Sequence, residues 1–193
     1  GKKIFLSDSD VIIQEENLKS ELKWDKRSIR NSLLILGALL TRKGGGKVPL
    51  PGGCKLGERK HDLHLKAMES FGAKVWEEGE YLCAESKGRL KGNDIFLSIR
   101  STGATENSIL MATLAEGSTR IWNPHIRPEI IDLIALLKKM GAKIEVRGQE
   151  SIIVEGVESL HGAEHKCIPD NVEALTWVVA GAVAGGEIEI KNF

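Results

Sequence analysis

A chain of 193 residues with 41% hydrophobic composition is long enough to bury one good core or two small ones, which sets disorder aside. Its 27 basic and 27 acidic residues cancel, so no global basic field draws in nucleic acid, no acidic block acts as a solvating tail, and any anion site must be local. The most apolar run, SLLILGALL (32–40), is far short of the ~20 residues a membrane-spanning helix needs and is not placed like a signal peptide, which points to a cytoplasmic protein with no membrane partner.

Taken in chain order, GKKIFLSDSDVII (1–13) reads as the hairpin end of a repeat whose own helices are missing. SLLILGALL follows as a helix apolar nearly all round, which only a helix buried on every side can be. KGGGKVPLP (43–51) leads into a Gly/Pro-rich turn, and residues 62–71 form an amphipathic helix with Leu63, Ala67, Met68 and Phe71 on one face. Gly-Ala-Lys then caps that helix and opens a hairpin, KVWEEGEYLCAES, followed by a strand, RLKGNDIFL (89–97). SILMATLAEG (108–117) is a second all-apolar helix, and LAEGSTRIWN (114–123) carries the strand after it.

The pattern then returns with a lag of about seventy residues. Ile130, Ile134, Leu137 and Met140 repeat the amphipathic face, KIEVRGQESIIVEG the hairpin, and SLHGAEHKC (159–167) the strand. VEALTWVVAGAVAGG (172–186) repeats the buried helix, and VAGGEIEIKN (183–192) the final strand. The unit is therefore helix, hairpin, strand, buried helix, strand. Several such units set helices at the centre and sheets outside, an α/β arrangement unlike a doubly wound sheet. No GxGxxG follows a strand and no GxxxxGK[ST] occurs, so no nucleotide cofactor is expected.

Three constellations bear chemistry. Cys54 follows Gly52 and Gly53 in a tight turn, with Lys55, Arg59 and Lys60 close behind; cationic surroundings favour a thiolate that is nucleophilic or trades protons. The plain alternative is a small residue filling a bend. Cys83 and Cys167 alternate with apolar strand positions and read as inert core. In RSTGATEN (100–107), Ser101, Thr102 and Gly103 lead into a buried helix, where unpaired backbone N–H groups and the helix dipole meet a phosphate, or where a serine simply caps the helix. Arg30 begins another buried helix, at an end that needs an anion to balance it, and Asp170 begins a third, as an N-cap or in a catalytic or hinge role. His61 and His64 stand one turn apart, but no carboxylate or cysteine completes a metal shell; His125, His161 and His165 show no pairing in sequence. The four tryptophans are scattered and not interleaved with basic residues, which argues against nucleic acid.

PLPGGCKLGERKHDLH, STGATEN, LAEGSTRIWN, RPEIIDL, LKKMGAKI, VEGVESLHG and IPDNVEA together resemble the UDP-N-acetylglucosamine enolpyruvyl transferase (1-carboxyvinyltransferase) family, over essentially all 193 residues. The resemblance implies an inside-out α/β barrel, with residues 1–169 in the domain that carries the cysteine loop and 170–193 a crossover segment. That segment starts a second domain or packs back where a first helix and strand belong. It also implies phosphoenolpyruvate and a UDP-sugar as substrates and peptidoglycan synthesis as the setting. Cys54 matches the family's proton donor, which also forms an adduct with phosphoenolpyruvate and is alkylated by fosfomycin. Arg30, Arg59, Asp62 and Leu63 match sugar-nucleotide contacts, with Lys60 and His61 as substrate-binding candidates at the intervening positions; Ile99, Arg100, Ser101, Thr102 and Gly103 match the nucleotide loop, and Asp170 the crossover aspartate.

The chain departs from the family pattern at Lys60 and His61, where the family reads Pro-Val, at Asn171, where it has arginine, and at Ile126–Glu129, where it has Arg-Glu-Pro-Glu. A diverged paralogue acting on another nucleotide, or a fragment that only binds a nucleotide or partner, stays open on these grounds. The family's N-terminal Lys-Asn pair and its second domain have no counterpart in these residues. Weak turnover by the chain alone is expected, whether it is completed by the missing domain or by a homo-oligomer.

Overall fold

The computed structural model describes residues 2–8, 10–22, 31–51 and 61–191. An antiparallel hairpin, β1 (Lys2–Leu6) and β2 (Val11–Glu15), comes first, then helix α1 (Ser32–Lys43) and strand β3 (Gly45–Pro49). The next unit comprises α2 (Asp62–Ser70), the hairpin β4 (Ala73–Glu78) and β5 (Tyr81–Ser86), β6 (Asp94–Phe96), α3 (Thr102–Ala112) and β7 (Ser118–Trp122). The last begins with α4 (Pro128–Lys139) and the hairpin β8 (Lys143–Arg147) and β9 (Ser151–Glu155), and ends with α5 (Asn171–Ala184).

One pairing rule builds both larger sheets. The strand that leaves a central helix lies antiparallel against the second strand of the following hairpin: β3 against β5 and β7 against β9. The resulting strand orders are β3-β5-β4 and β6-β7-β9-β8, with β6 joined to β7 in parallel. An isolated parallel bridge from Glu21 to Lys47 gives β3 a trace of the neighbour that β6 provides for β7.

Helices α1 and α3 pack on each other at the centre, as their all-round apolar sequences require. Leu33, Leu36, Leu40, Ile109, Met111 and Ala112 are fully buried there. The two amphipathic helices cover the core as expected: α2 buries Ala67 and Met68, and α4 buries Ile130, Ile134 and Leu137. Each is followed by a glycine in the left-handed region, Gly72 at φ 88° and Gly141 at φ 102°, which turns the chain into the next strand.

The second unit departs from the sequence expectation. Residues 159–167 form no strand, and neither do 187–191. Both lack the neighbouring strand against which their counterparts β6 and β7 acquire strand pairing. Residues 157–166 are tied down instead by loop contacts: Val157 N–H donates to the Thr113 carbonyl (2.8 Å), His161 N–H to that of Met140 (3.0 Å), and Lys139 Nζ to that of Glu164 (3.2 Å). Arg89 staples this strap to the end of α3, donating to the carbonyls of Leu114, Ala115 and Val157 and pairing with Glu158. Cys167, expected as inert core, is exposed, because the strand that was to bury it does not form. The helix over 172–186, expected to be buried, is α5; only Ala174 and Gly181 are buried, and Trp177 is 56% exposed.

Gly37 on α1 packs so closely against α3 that a Cβ there would stand 1.9 Å from Asn107 Oδ1. Gly37→Ala should therefore destabilise the fold by about 2–4 kcal/mol in urea titrations, as overpacking beside a buried amide does. Adding Asn107→Ala should recover part of that loss, a coupling that a double-mutant cycle reads directly.

Candidate active site

The N-terminal halves of the first three helices converge. Asn107, on the second turn of α3, donates from Nδ2 to the Leu33 carbonyl of α1 (3.2 Å) and to His64 Nδ1 of α2 (3.1 Å). The Asn107 amide thus bridges a helix carbonyl and an imidazole ring. His64 is buried, and its Nε2 lies against Gly103, where a Cβ would be 3.1 Å away. The first turns of α1 and α2 thus meet the second turn of α3, and each of these helices follows in sequence a segment marked for chemistry. Residues 23–30 precede α1, 52–60 precede α2 and 97–101 precede α3.

Arg30, Cys54, Arg59 and Lys60 lie outside the described residues. His61 occupies the N-cap position of α2 and is half-buried, with Nε2 3.7 Å from Glu77 Oε1. Asp62 is exposed on the first turn and pairs with Lys66 at 3.5 Å, while Leu63 packs against the core. Ile99 and Arg100 are exposed; Arg100 Nε donates to Asn123 Oδ1 (3.3 Å). Ser101 is a true N-cap, its Oγ accepting from Ala104 N–H (3.3 Å). Thr102 Oγ1 shares a hydrogen bond with His125 Nδ1 (2.9 Å), and His125 N–H donates to Thr105 Oγ1 (3.0 Å). The two hydroxyls expected to assist a phosphate are therefore engaged locally, one in the cap and one on a histidine.

Asp170 caps α5, with Oδ1 accepting from Val172 N–H (2.9 Å) and Glu173 N–H (3.1 Å), so the structure gives it the capping role of the two the sequence allowed. It belongs to no cluster with α1, α2 and α3 among the described contacts. Sequence reasoning missed three partnerships that no spacing announces: His64 with Asn107, His125 with Thr102, and His165 Nε2 with Asp132 Oδ1 (2.9 Å). Among the described residues no group of three or more His, Cys, Asp or Glu side chains is placed to hold a metal, and no helix is long and apolar enough to cross a membrane.

Two groups have displaced acidities. Burial pushes the Cys83 thiol up, with Glu78 adding to the effect, so this cysteine is a poor nucleophile. Burial also raises Glu106 on α3 above the ordinary carboxyl value of 4.5, and nearby Glu129 raises it further.

The central helices, the outer sheets and the repeating helix–hairpin unit define the class: an inside-out α/β domain of the enolpyruvyl transferase type. The chain belongs to the EPSP synthase (3-phosphoshikimate 1-carboxyvinyltransferase) family, which it matches over residues 1–193. A UDP-N-acetylglucosamine 1-carboxyvinyltransferase from Paramagnetospirillum magneticum is 49% identical over 164 residues, 85% of this chain and 38% of that protein. One from Finegoldia magna is 41% identical over 195 aligned positions, 100% of this chain and 46% of that protein. The chain thus spans roughly two fifths of the length of these curated relatives. Among solved structures, the enolpyruvyl transferase NikO from Streptomyces tendae superposes with a TM-score of 0.67 at 27% identity, over 79% of this chain and 36% of that one. EPSP synthase from Acinetobacter baumannii shares the fold, with a TM-score of 0.60 at 20% identity over 81% of this chain and 36% of that one.

Because its pKa is raised in the fold, Glu106 contributes its full stability below the unfolded-state pKa and loses it as pH rises through the folded value. Glu106→Gln should therefore raise Tm at pH 7. The gain should disappear in melts recorded below pH 4, where the wild-type carboxyl is already protonated in both states.

Proposed function

We propose that this chain carries the thiol-bearing part of an enzyme that transfers the enolpyruvyl group of phosphoenolpyruvate to the 3-hydroxyl of UDP-N-acetylglucosamine. Phosphate is released, in the first committed step of peptidoglycan synthesis. The reading rests on Cys54 and its cationic neighbours in the segment that precedes α2 in sequence, together with the joining of the first turns of α1 and α2 to α3 through Asn107, a combination suited to anionic substrates. The relatives at 41–49% identity support the same chemistry.

In this mechanism the Cys54 thiol gives its proton to C3 of phosphoenolpyruvate while the acceptor hydroxyl oxygen bonds to C2 and loses its own proton. Loss of a C3 proton, with cleavage of the C2–O bond to phosphate, then restores the double bond in the product. Arg59 and Lys60 offset the charge of the donor phosphate, and Arg30, His61, Asp62, Leu63 and the 99–103 loop hold the sugar nucleotide. Residues 170–193 lead toward a second domain that supplies the remaining groups on closure, so the isolated chain turns over slowly. The setting is the cytoplasm, where cell-wall precursors for growth and division are made.

Mass spectrometry after incubation with fosfomycin tests this directly. Native protein should gain one adduct, on Cys54, with Cys83 protected by burial and Cys167 left unmodified although it is exposed. Equal labelling of Cys54 and Cys167, or identical labelling before and after denaturation, would show that Cys54 has no special reactivity.

The acceptor is a separate question, because His61 is turned toward Glu77 where the family pattern has an uncharged residue. Thermal shifts decide it: a ligand at about 100 times its Kd adds about 2.7 kcal/mol to stability, several degrees in Tm for a chain of this size. UDP-N-acetylglucosamine should produce that shift. A shift only with a different nucleotide sugar would identify a diverged acceptor site.

A further inference from the structure

The connections that follow β3 and β7 begin with the same hydrogen bond. β3 ends where Pro49 pairs with Tyr81, and the next residue, Leu50, donates its N–H to the Glu80 carbonyl (2.9 Å). β7 ends where Trp122 pairs with Ser151, and the next residue, Asn123, donates its N–H to the Glu150 carbonyl (3.0 Å). The repeat therefore makes residues 123–127, which lead into α4, the counterpart in sequence of the segment that runs from β3 through Cys54 to α2.

The side chains of this second connection are directed at the loop before α3. Among the described residues Asn123 is the one non-glycine with a positive φ, 56°, a conformation that its short polar side chain tolerates. From there Nδ2 donates to the Leu97 carbonyl (2.9 Å) and Oδ1 accepts from Arg100 Nε (3.3 Å). Pro124 is buried and fixes the next φ. His125 grips the other end of the loop. Its N–H donates to Thr105 Oγ1 (3.0 Å), which donates in turn to the Ser101 carbonyl (2.8 Å), and its Nδ1 shares a hydrogen bond with Thr102 Oγ1 (2.9 Å). Two residues of one turn thus hold Leu97, Arg100, Ser101 and Thr102.

What they hold is a set of anion donors. Ser101 Oγ takes the Ala104 N–H and the Ser101 carbonyl takes that of Thr105, so the N–H groups of Thr102 and Gly103 have no partner among the described residues. Arg100 is exposed, and with Nε fixed on Asn123 its two terminal nitrogens also have no partner among the described residues. An arginine already ordered through Nε loses less freedom when its terminal nitrogens grip an anion. We propose that Asn123 and His125 are positioning residues for the acceptor: they hold Arg100 and Thr102 so that the Arg100 guanidinium and the start of α3 take the diphosphate of the sugar nucleotide. The inference rests on the reading of residues 99–103 as the nucleotide loop, and adds to it the part of the ligand gripped there and the two residues that stand behind the grip.

Chemical-shift titrations of the purified 193-residue chain with UDP-N-acetylglucosamine, UDP and uridine test it. Asn123→Gly keeps the left-handed backbone and removes the amide, so near-UV circular dichroism should be unchanged. The Kd values for both diphosphates should rise about tenfold, as for a lost contact to a charged group, while that for uridine stays within about twofold. Arg100→Ala should show the same selectivity, and Asn123→Gly should add nothing to it. His125→Ala should likewise weaken UDP more than uridine, and should have no such effect on a Thr102→Val background. Equal weakening of UDP and uridine by Asn123→Gly, or additive effects of Asn123→Gly and Arg100→Ala, overturns the proposal and leaves the turn a structural support. Unchanged UDP affinity in both variants overturns it as well. Failure of the wild-type chain to bind either diphosphate is a different result: it removes the nucleotide-loop reading itself, and this inference with it.

Discussion

Two helices without a polar face dictate this architecture. α1 and α3 bury most of their circumference, so the other elements are arranged around them, and sheets fed by short hairpins do this while leaving their own outer faces to water. The repeat follows from the same constraint. Each central helix needs a hairpin from the next unit to close over it, and the chain delivers one about every seventy residues. Where the partner unit lies beyond the described contacts, as for α5, a helix of the same composition stands exposed. Hydrophobicity sets the demand for burial, and only topology supplies it.

Burying two helices side by side also brings a polar obligation into the core. Asn107 is buried inside α3, and its NH₂ reaches the Leu33 carbonyl and His64, while its Oδ1 has no hydrogen-bond partner among the described residues. Gly37 leaves the space for the amide. A contact that joins three helices within their first two turns locks their relative positions. In sequence, the segment with Cys54 precedes α2 and residues 97–101 precede α3, and this amide holds α2 and α3 together.

The site is electrically local in a chain whose charges cancel overall. Glu106 shows the cost of that locality, since a carboxylate near the crowded start of α4 and beside Glu129 resists ionisation. Cys83 shows the converse for thiols: burial and an adjacent glutamate suppress reactivity, while the glycine turn around Cys54 is surrounded in sequence by cations. Of the described cysteines Cys83 is buried and Cys167 exposed, and Cys54 is the one with the sequence features of a reactive thiol.

By itself the sequence determined the repeat, the two kinds of helix, the hairpins and the glycine-capped turns, because these depend on periodicity and on residues a few positions apart. It also marked Cys54, Arg59 and the 99–103 loop, since Gly-rich turns and helix starts are local signals. Only tertiary structure decided the rest. His64 meets Asn107 across forty-three positions and His165 meets Asp132 across thirty-three, distances over which no pattern carries information. Residues 159–167 and 187–191 have strand-like sequences but form no strand, because a strand is completed by its neighbour's hydrogen bonds and not by its own side chains. For the same reason the apolar composition of α5 signalled a buried helix, whereas its burial depends on a partner surface that lies outside its own sequence.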